Sequence, residues 1–185
     1  MVSLFKTSKK IQKSKFTIFQ YLPNVMAKRI RVTRKDKFLE QEHLIQLLND
    51  YINDSYSGRR TKPNGSRISE GTIRNYENLK RVLIEFFENT SFEFKLYIAS
   101  NLTQREREKA KNHYKKFYKA LTDFLYIKKG NFDNYVGSII KSLRAFFNYL
   151  KMDRSIDVGE WHKKFYAPVE EIAIITLTPE HMRYI

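Results

Sequence analysis

Between Phe132 and Lys151 the apolar residues Val136, Ile139, Ile140, Leu143, Phe146, Phe147 and Leu150 recur at steps of three and four. On a helix that spacing gathers them into one stripe; on a strand it scatters them over both faces. The polar residues Ser138, Lys141, Arg144 and Asn148 fall on or near the other side. The same rule governs Thr72 to Glu88, where Ile73, Tyr76, Leu79, Leu83, Phe86 and Phe87 form the stripe. Arg74, Asn75, Asn78, Lys80 and Arg81 oppose it. A third stretch opens with the capping box Thr103-Gln104-Arg105-Glu106 and runs to about Ile127, with Ala110, Tyr114, Phe117, Leu121 and Phe124 inside. A fourth pattern spans Lys37 to Tyr56 through Phe38, Ile45, Leu48 and Ile52. A helix with one apolar side must bury it, so the four together predict an all-α, four-helix bundle.

The connections carry their own signals. Ser57 to Arg67 holds Gly58, Pro63, Asn64-Gly65 and four cations without an acid, which predicts a flexible basic loop. Ser69 is placed to cap the helix that follows. Phe92 to Ile98 alternates and predicts an extended or short irregular connection. Lys129-Gly130-Asn131 ends the third helix and turns the chain. Residues 152–177 read as an extended linker.

A hydrophobic share of 42% with 15% aromatics supplies a real core and excludes global disorder. The aromatic stripes are expected inside that core. Cysteine is absent, which excludes a disulfide scaffold, a thiolate metal site and a cysteine nucleophile. His43, His113, His162 and His181 are dispersed, with no HExxH pair, and no Gly-rich phosphate loop occurs, so neither metal nor cofactor is expected. No apolar run approaches the ~18 residues of a membrane span, and no secretory leader opens the chain. The expectation is a cytoplasmic, nucleoid-associated protein with no membrane partner.

Charge narrows the partner. The net charge is +15, and residues 1–37 hold eleven Lys or Arg against the single acid Asp36. Residues 1–36 read as a basic arm of weak strand content, with residues 37–151 as the helical domain. A domain this basic has polyanions as its natural partners, nucleic acid foremost. At the other end, Thr178-Pro179-Glu180 is a helix-start signal: N-cap, first-turn proline and an acid on the dipole. Residues 178–185 are therefore expected to open a further domain.

Three segments resemble, in this order, the tyrosine recombinase (phage integrase) family. They are Thr72-Ile73-Arg74-Asn75-Tyr76 with the helix it opens, Asn134-Tyr135 through Leu143-Arg144-Ala145-Phe146-Phe147-Asn148-Tyr149-Leu150, and the exit Phe165-Tyr166 to Leu177-Thr178-Pro179-Glu180. The resemblance implies a SAM-like core-binding domain preceding a catalytic domain, with double-stranded DNA and other recombinase protomers as partners. It assigns the family's Arg, Lys, His-x-x-Arg and nucleophilic Tyr to the catalytic domain. No histidine here has an Arg three residues later, so no residue is carried over as catalytic and the chain by itself is expected to cut nothing.

The candidate DNA-binding residues follow. Thr72, Arg74 and Asn75 sit in a helical first turn, where free amides and the dipole suit a phosphate. Arg59, Arg60, Lys62 and Arg67 flank it as phosphate neighbours. By the resemblance this helix and the one bearing Ser138, Lys141 and Arg144 face the duplex, with Lys80 on the polar side of the first. Lys163 and Lys164 fall in the linker, which in the family runs along the DNA clamp. A different class of reading is a free-standing helical nucleic-acid-binding regulatory module whose tail, Ile172–Ile185, docks on a partner protein.

Overall fold

A computed structural model describes residues 35–170, together with Ile30, Val32 and Thr33. Most of the basic arm and the Thr178 helix start lie outside the described residues. Four helices dominate: α1 Gln41–Tyr56, α2 Glu70–Asn89, α3 Gln104–Asp123 and α4 Asp133–Met152. The fold is all-α with one small antiparallel pair of strands, β1 Phe38–Glu40 and β2 Lys95–Tyr97, in which Leu39 faces Leu96. The helices match the four predicted ones to within a few residues. The first starts later than its pattern suggests, because Phe38–Glu40 is drawn into pairing with β2.

The aromatic stripes meet in the centre. Tyr51 of α1 lies 4.5 Å from Tyr76 of α2 and 5.6 Å from Phe146 of α4, ring centroid to centroid. Phe86 of α2 packs edge-on to Phe117 of α3 at 5.9 Å, and Tyr114 of α3 edge-on to Phe147 of α4 at 5.8 Å. Tilted and edge-to-face pairs of this kind add to the area they bury. Phe86, Phe117, Phe146 and Phe147 are fully buried. Truncating one of them to Ala costs about 3–5 kcal/mol.

Local chemistry fixes the helix ends. Glu106 accepts the Thr103 N–H at 2.9 Å, completing the predicted capping box. It also pairs with Lys37 at 2.6 Å, and these two contacts hold its carboxyl down at about 2. Past Asp123 the third helix widens into a π turn, Phe124–Lys128, with Lys129 N–H donating to Phe124 O. The turn keeps Phe124 and Leu125 both inside while leaving Ile127 exposed.

The expected linker is not loose over its described part. Ile156, Val158, His162 and Phe165 are buried, and Trp161–Lys164 forms a 3₁₀ turn. The remainder, to Glu170, forms a strap across α3 and α4. Tyr118 of α3 donates to the Tyr166 carbonyl at 2.9 Å, and Glu170 N–H donates to Asn134 of α4 at 3.0 Å. Three apolar residues and a histidine at irregular spacing give no helical or strand period, which is why the sequence pattern reads as a bare connection. Among the described residues no helix is long and apolar enough to cross a membrane.

Candidate nucleic-acid interface

The basic segment between α1 and α2 is a closed turn rather than a slack loop. Lys62 N–H donates to Ser66 O at 2.8 Å, Gly65 N–H to Lys62 O at 2.9 Å, and Thr61 bridges Arg67 in antiparallel fashion. Asn64 Oδ1 accepts the Ser66 hydroxyl at 2.8 Å, and Gly65 takes φ +78°, which its missing Cβ permits. The Asn-Gly that signals mobility in the sequence thus makes a tight hairpin.

Arg60 anchors its base. Its guanidinium lies over the Tyr51 ring at 4.4 Å and near the Tyr76 ring at 5.5 Å, with Nη1 donating to Ser55 Oγ at 3.3 Å. Desolvated stacking of this kind holds the cation inward, so Arg60 fastens the hairpin to α1 and α2. Arg59 pairs with Asp54 at 2.9 Å. Lys62 and Arg67 are exposed, and neither forms an ion pair among the described residues. The four cations divide into two holders and two open charges.

At the start of α2, Ser69 stands in the N-cap position in extended geometry, but its hydroxyl bonds Thr72 Oγ1 at 2.9 Å. The Ser69 carbonyl takes the N–H groups of Thr72 and Ile73. The Glu70 and Gly71 amides have no acceptor among the described residues, which leaves the donors a helix start offers to an anion. Arg74 is well exposed, and its nearest acid, Glu70, is 3.9 Å away and equally exposed, a contact that water screens strongly. Asn75 is exposed and Lys80 half-buried, both without an ion pair or side-chain hydrogen bond among the described residues.

One side-chain bridge joins this helix to α4. Asn78 Nδ2 donates to the Tyr135 hydroxyl at 3.1 Å, and Arg81 donates to Asn78 Oδ1 at 2.6 Å. Residues three apart on a helix are neighbours on its surface. Asn75 lies one turn before Asn78, while Ser138 and Lys141 lie one and two turns beyond Tyr135. The bridge sets Asn78 of α2 beside Tyr135 of α4, with Asn75, Ser138 and Lys141 within two turns of it along their own helices. Ser138 is half-buried and Lys141 exposed.

The far edge of α4 is committed to the strap. Asn148 Oδ1 contacts His162 Nε2 at 2.9 Å. Burial, with Lys163, Arg144 and Lys151 nearby, pushes the His162 ring down to about 4, so it is neutral at pH 7 and donates through Nε2. Lys163 pairs with Glu160 at 2.8 Å, and Lys151 reaches the same oxygen at 3.3 Å. Lys164 is exposed without an ion pair among the described residues, and Arg144 is half-buried beside His162.

Asp50 and Asp54 share a face of α1, an arrangement common on any helix surface. Here both serve Arg154, at 2.8 and 4.0 Å, and Asp54 also accepts the Tyr149 hydroxyl at 2.7 Å. Burial and the Asp54 carboxylate push the Tyr149 hydroxyl well above its ordinary range. The cluster ties the end of α1, the end of α4 and, through Arg59, the hairpin. It holds the two acids of α1 against Arg154, Tyr149 and Arg59, leaving Lys62 and Arg67 without an ion pair among the described residues. Arg154 is about a hundred residues from its partners in sequence, and no local pattern announces it.

The hairpin, the α2 start and the bridged α2–α4 flank offer exposed cations, amide donors and planar side-chain amides, groups chemically suited to phosphates and base edges. Among the described residues no group of three His, Cys, Asp or Glu could hold a metal ion. Comparison with protein-family models, with curated proteins and with solved structures finds no match.

Proposed function

We propose that this chain is the DNA-binding, core-binding portion of a site-specific tyrosine recombinase acting in integration of a mobile element. The observation that carries the reading is the Asn78–Tyr135 bridge between the polar sides of α2 and α4, together with a hairpin before α2 that carries two open cations. The resemblance supports the assignment, since two of its three motifs fall on these same two helices. On this reading Thr72, Arg74, Asn75, Ser138, Lys141 and Arg144 face the duplex, with Lys80 at the margin. Lys62, Arg67 and Lys164 meet flanking phosphates, and Arg59, Arg60 and Lys163 hold the elements that present them. Strand cleavage and exchange belong to the family's catalytic domain, and other protomers join on the DNA.

Fluorescence anisotropy with a labelled duplex tests it. Log affinity falls with log salt by roughly 0.9 per phosphate contact. Arg74→Ala costs about 1–3 kcal/mol if the side chain reads a base, and less if it touches phosphate alone. Lys129→Ala, at the Glu85 end of α2, leaves affinity unchanged. Equal losses from the two substitutions, or no binding to any duplex at low salt, refute the reading.

A further inference from the structure

The outward face of α3 has no part in the surface just described. We propose that it is a second docking surface for nucleic-acid backbone, so that one copy of the protein holds two nucleic-acid segments.

The buried side of α3 is Ala110, Tyr114, Phe117 and Leu121. Opposite it Arg105, Lys109, Lys116 and Lys119 follow one another along the helix, all exposed. At 1.5 Å per residue the line is about 21 Å long. None of the four has an ion-pair or hydrogen-bond partner among the described residues. Several other cations of the domain are matched, Lys129 by Glu85, Lys163 by Glu160 and Arg154 by Asp50, whereas this line carries four open ones in succession. Of the acids of α3, Glu106 and Glu108 lie off the line and are held by Lys37 and Lys111, and Asp123 stands one turn beyond its last cation, so no acid falls within it.

This line works against the helix that carries it. Arg105 and Lys109 are like charges four residues apart, and Arg105 stands in the first turn, at the positive end of the dipole. A face built only for solubility mixes both signs. The line also lacks the apolar centre that a protein partner's interface needs. Its complement is a polyanion of regular spacing. A nucleic-acid strand sets one phosphate about every 3.4 Å, so roughly six lie along these four cations.

The strap separates the two surfaces. It crosses between α3 and α4, tied to Tyr118 on one side and lying over Gly137 on the other. The inference rests on the charge of α3 and stands apart from the α2–α4 reading.

The full chain is mixed with donor-labelled and acceptor-labelled short duplexes at about 50 mM salt, and energy transfer between the duplexes reports bridging. Anisotropy with one duplex reports single binding. The variant Arg105→Gln, Lys109→Gln, Lys116→Gln, Lys119→Gln keeps good helix formers, and circular dichroism checks its fold. Expected are bridging by the native protein and loss of bridging in the fourfold variant, with single-duplex affinity nearly unchanged. The salt slope for the second duplex drops by roughly 3.6, at about 0.9 per contact. Absence of bridging by the native protein overturns the proposal. So does bridging that survives the fourfold change, carried by the cations before Lys37 or by self-association. Loss of polyglutamate binding with bridging intact assigns the face to an acidic protein and also overturns it. Arg74→Gln with Lys141→Gln, read by single-duplex anisotropy, judges the α2–α4 reading separately.

Discussion

Gly137→Ala is the sharpest test of how the strap is seated. Gly137 is buried in the interior of α4, and a Cβ built there would lie 1.9 Å from the Pro168 carbonyl oxygen. Ordinary carbon–oxygen contacts fall at about 3.3–3.6 Å, so something must move by well over 1 Å. The obstacle is backbone, not the end of a pliant side chain. It is also pinned on both sides, by Tyr118 to Tyr166 O and by Asn134 to Glu170 N–H. Two effects oppose each other. Alanine in a helix interior gains about 1 kcal/mol over glycine. Overpacking costs about 1–3 kcal/mol, and each strap hydrogen bond that opens costs about 0.5–1.5 kcal/mol more. Overpacking wins, and the variant is less stable by roughly 1–2 kcal/mol. Urea unfolding measures the total. Amide exchange at Glu170 and protease cleavage across residues 165–170 measure where it falls, and both rise. Gly71 is the control: it is helical, has nothing within 4 Å of its Cβ position, and tolerates alanine. If Gly137→Ala stabilises the protein with Glu170 still protected, Pro168 does not lie over α4 and the account of the strap is wrong.

Arg60→Ala removes the stack on Tyr51 and Tyr76 and costs about 1–2 kcal/mol in urea unfolding, with Arg60→Lys failing to restore it because an ammonium lacks the planar face; a neutral outcome would mean the hairpin holds itself. Glu106 is held at about 2, below its ordinary 4.5, so its contribution is complete above about 4.5 and fades as pH falls toward 2. Glu106→Gln should therefore melt below the native protein near neutral pH and converge with it near pH 2; a constant gap would contradict this. His162 lies below its ordinary 6.5, at about 4, so the unfolded chain takes up the proton first. Stability is then lost as pH drops from about 6.5 to about 4, and the ring's NMR resonances should stay still until that lower range. A His162 titration near 6.5 would show the ring to be solvated.

The helices and their buried faces were legible because each stripe is long and strictly periodic. Ile73 through Phe87 and Val136 through Leu150 lie inside as their spacing requires. Thr103 and Glu106 also declared themselves, since a capping box is a local pattern. Other features were not legible because they depend on contacts distant in sequence. Phe38–Glu40 looks like the first turn of a helix until Lys95–Tyr97 arrives to pair with it. Arg60 is one of four similar cations in the sequence, and only the placement of Tyr51 and Tyr76 singles it out. On α2 the polar face was readable, but the Asn78–Tyr135 bridge that joins it to α4 spans 57 residues. The Asp50–Arg154 pair spans 104.

That last separation bears on the order in which the molecule assembles. A contact spanning 104 residues closes a long chain loop, and such closures come late because their entropic cost precedes their reward. On a ribosome the chain emerges from its N-terminus at about 5–20 residues per second. The residues of α1, the hairpin and α2 are therefore synthesised well before Arg154 exists to hold Asp50 and Asp54. During that interval both acids are free to compete for the loop's cations. The surroundings of the basic hairpin acquire their finished charge only when the end of α4 closes onto Asp50 and Asp54, one of the final events of folding.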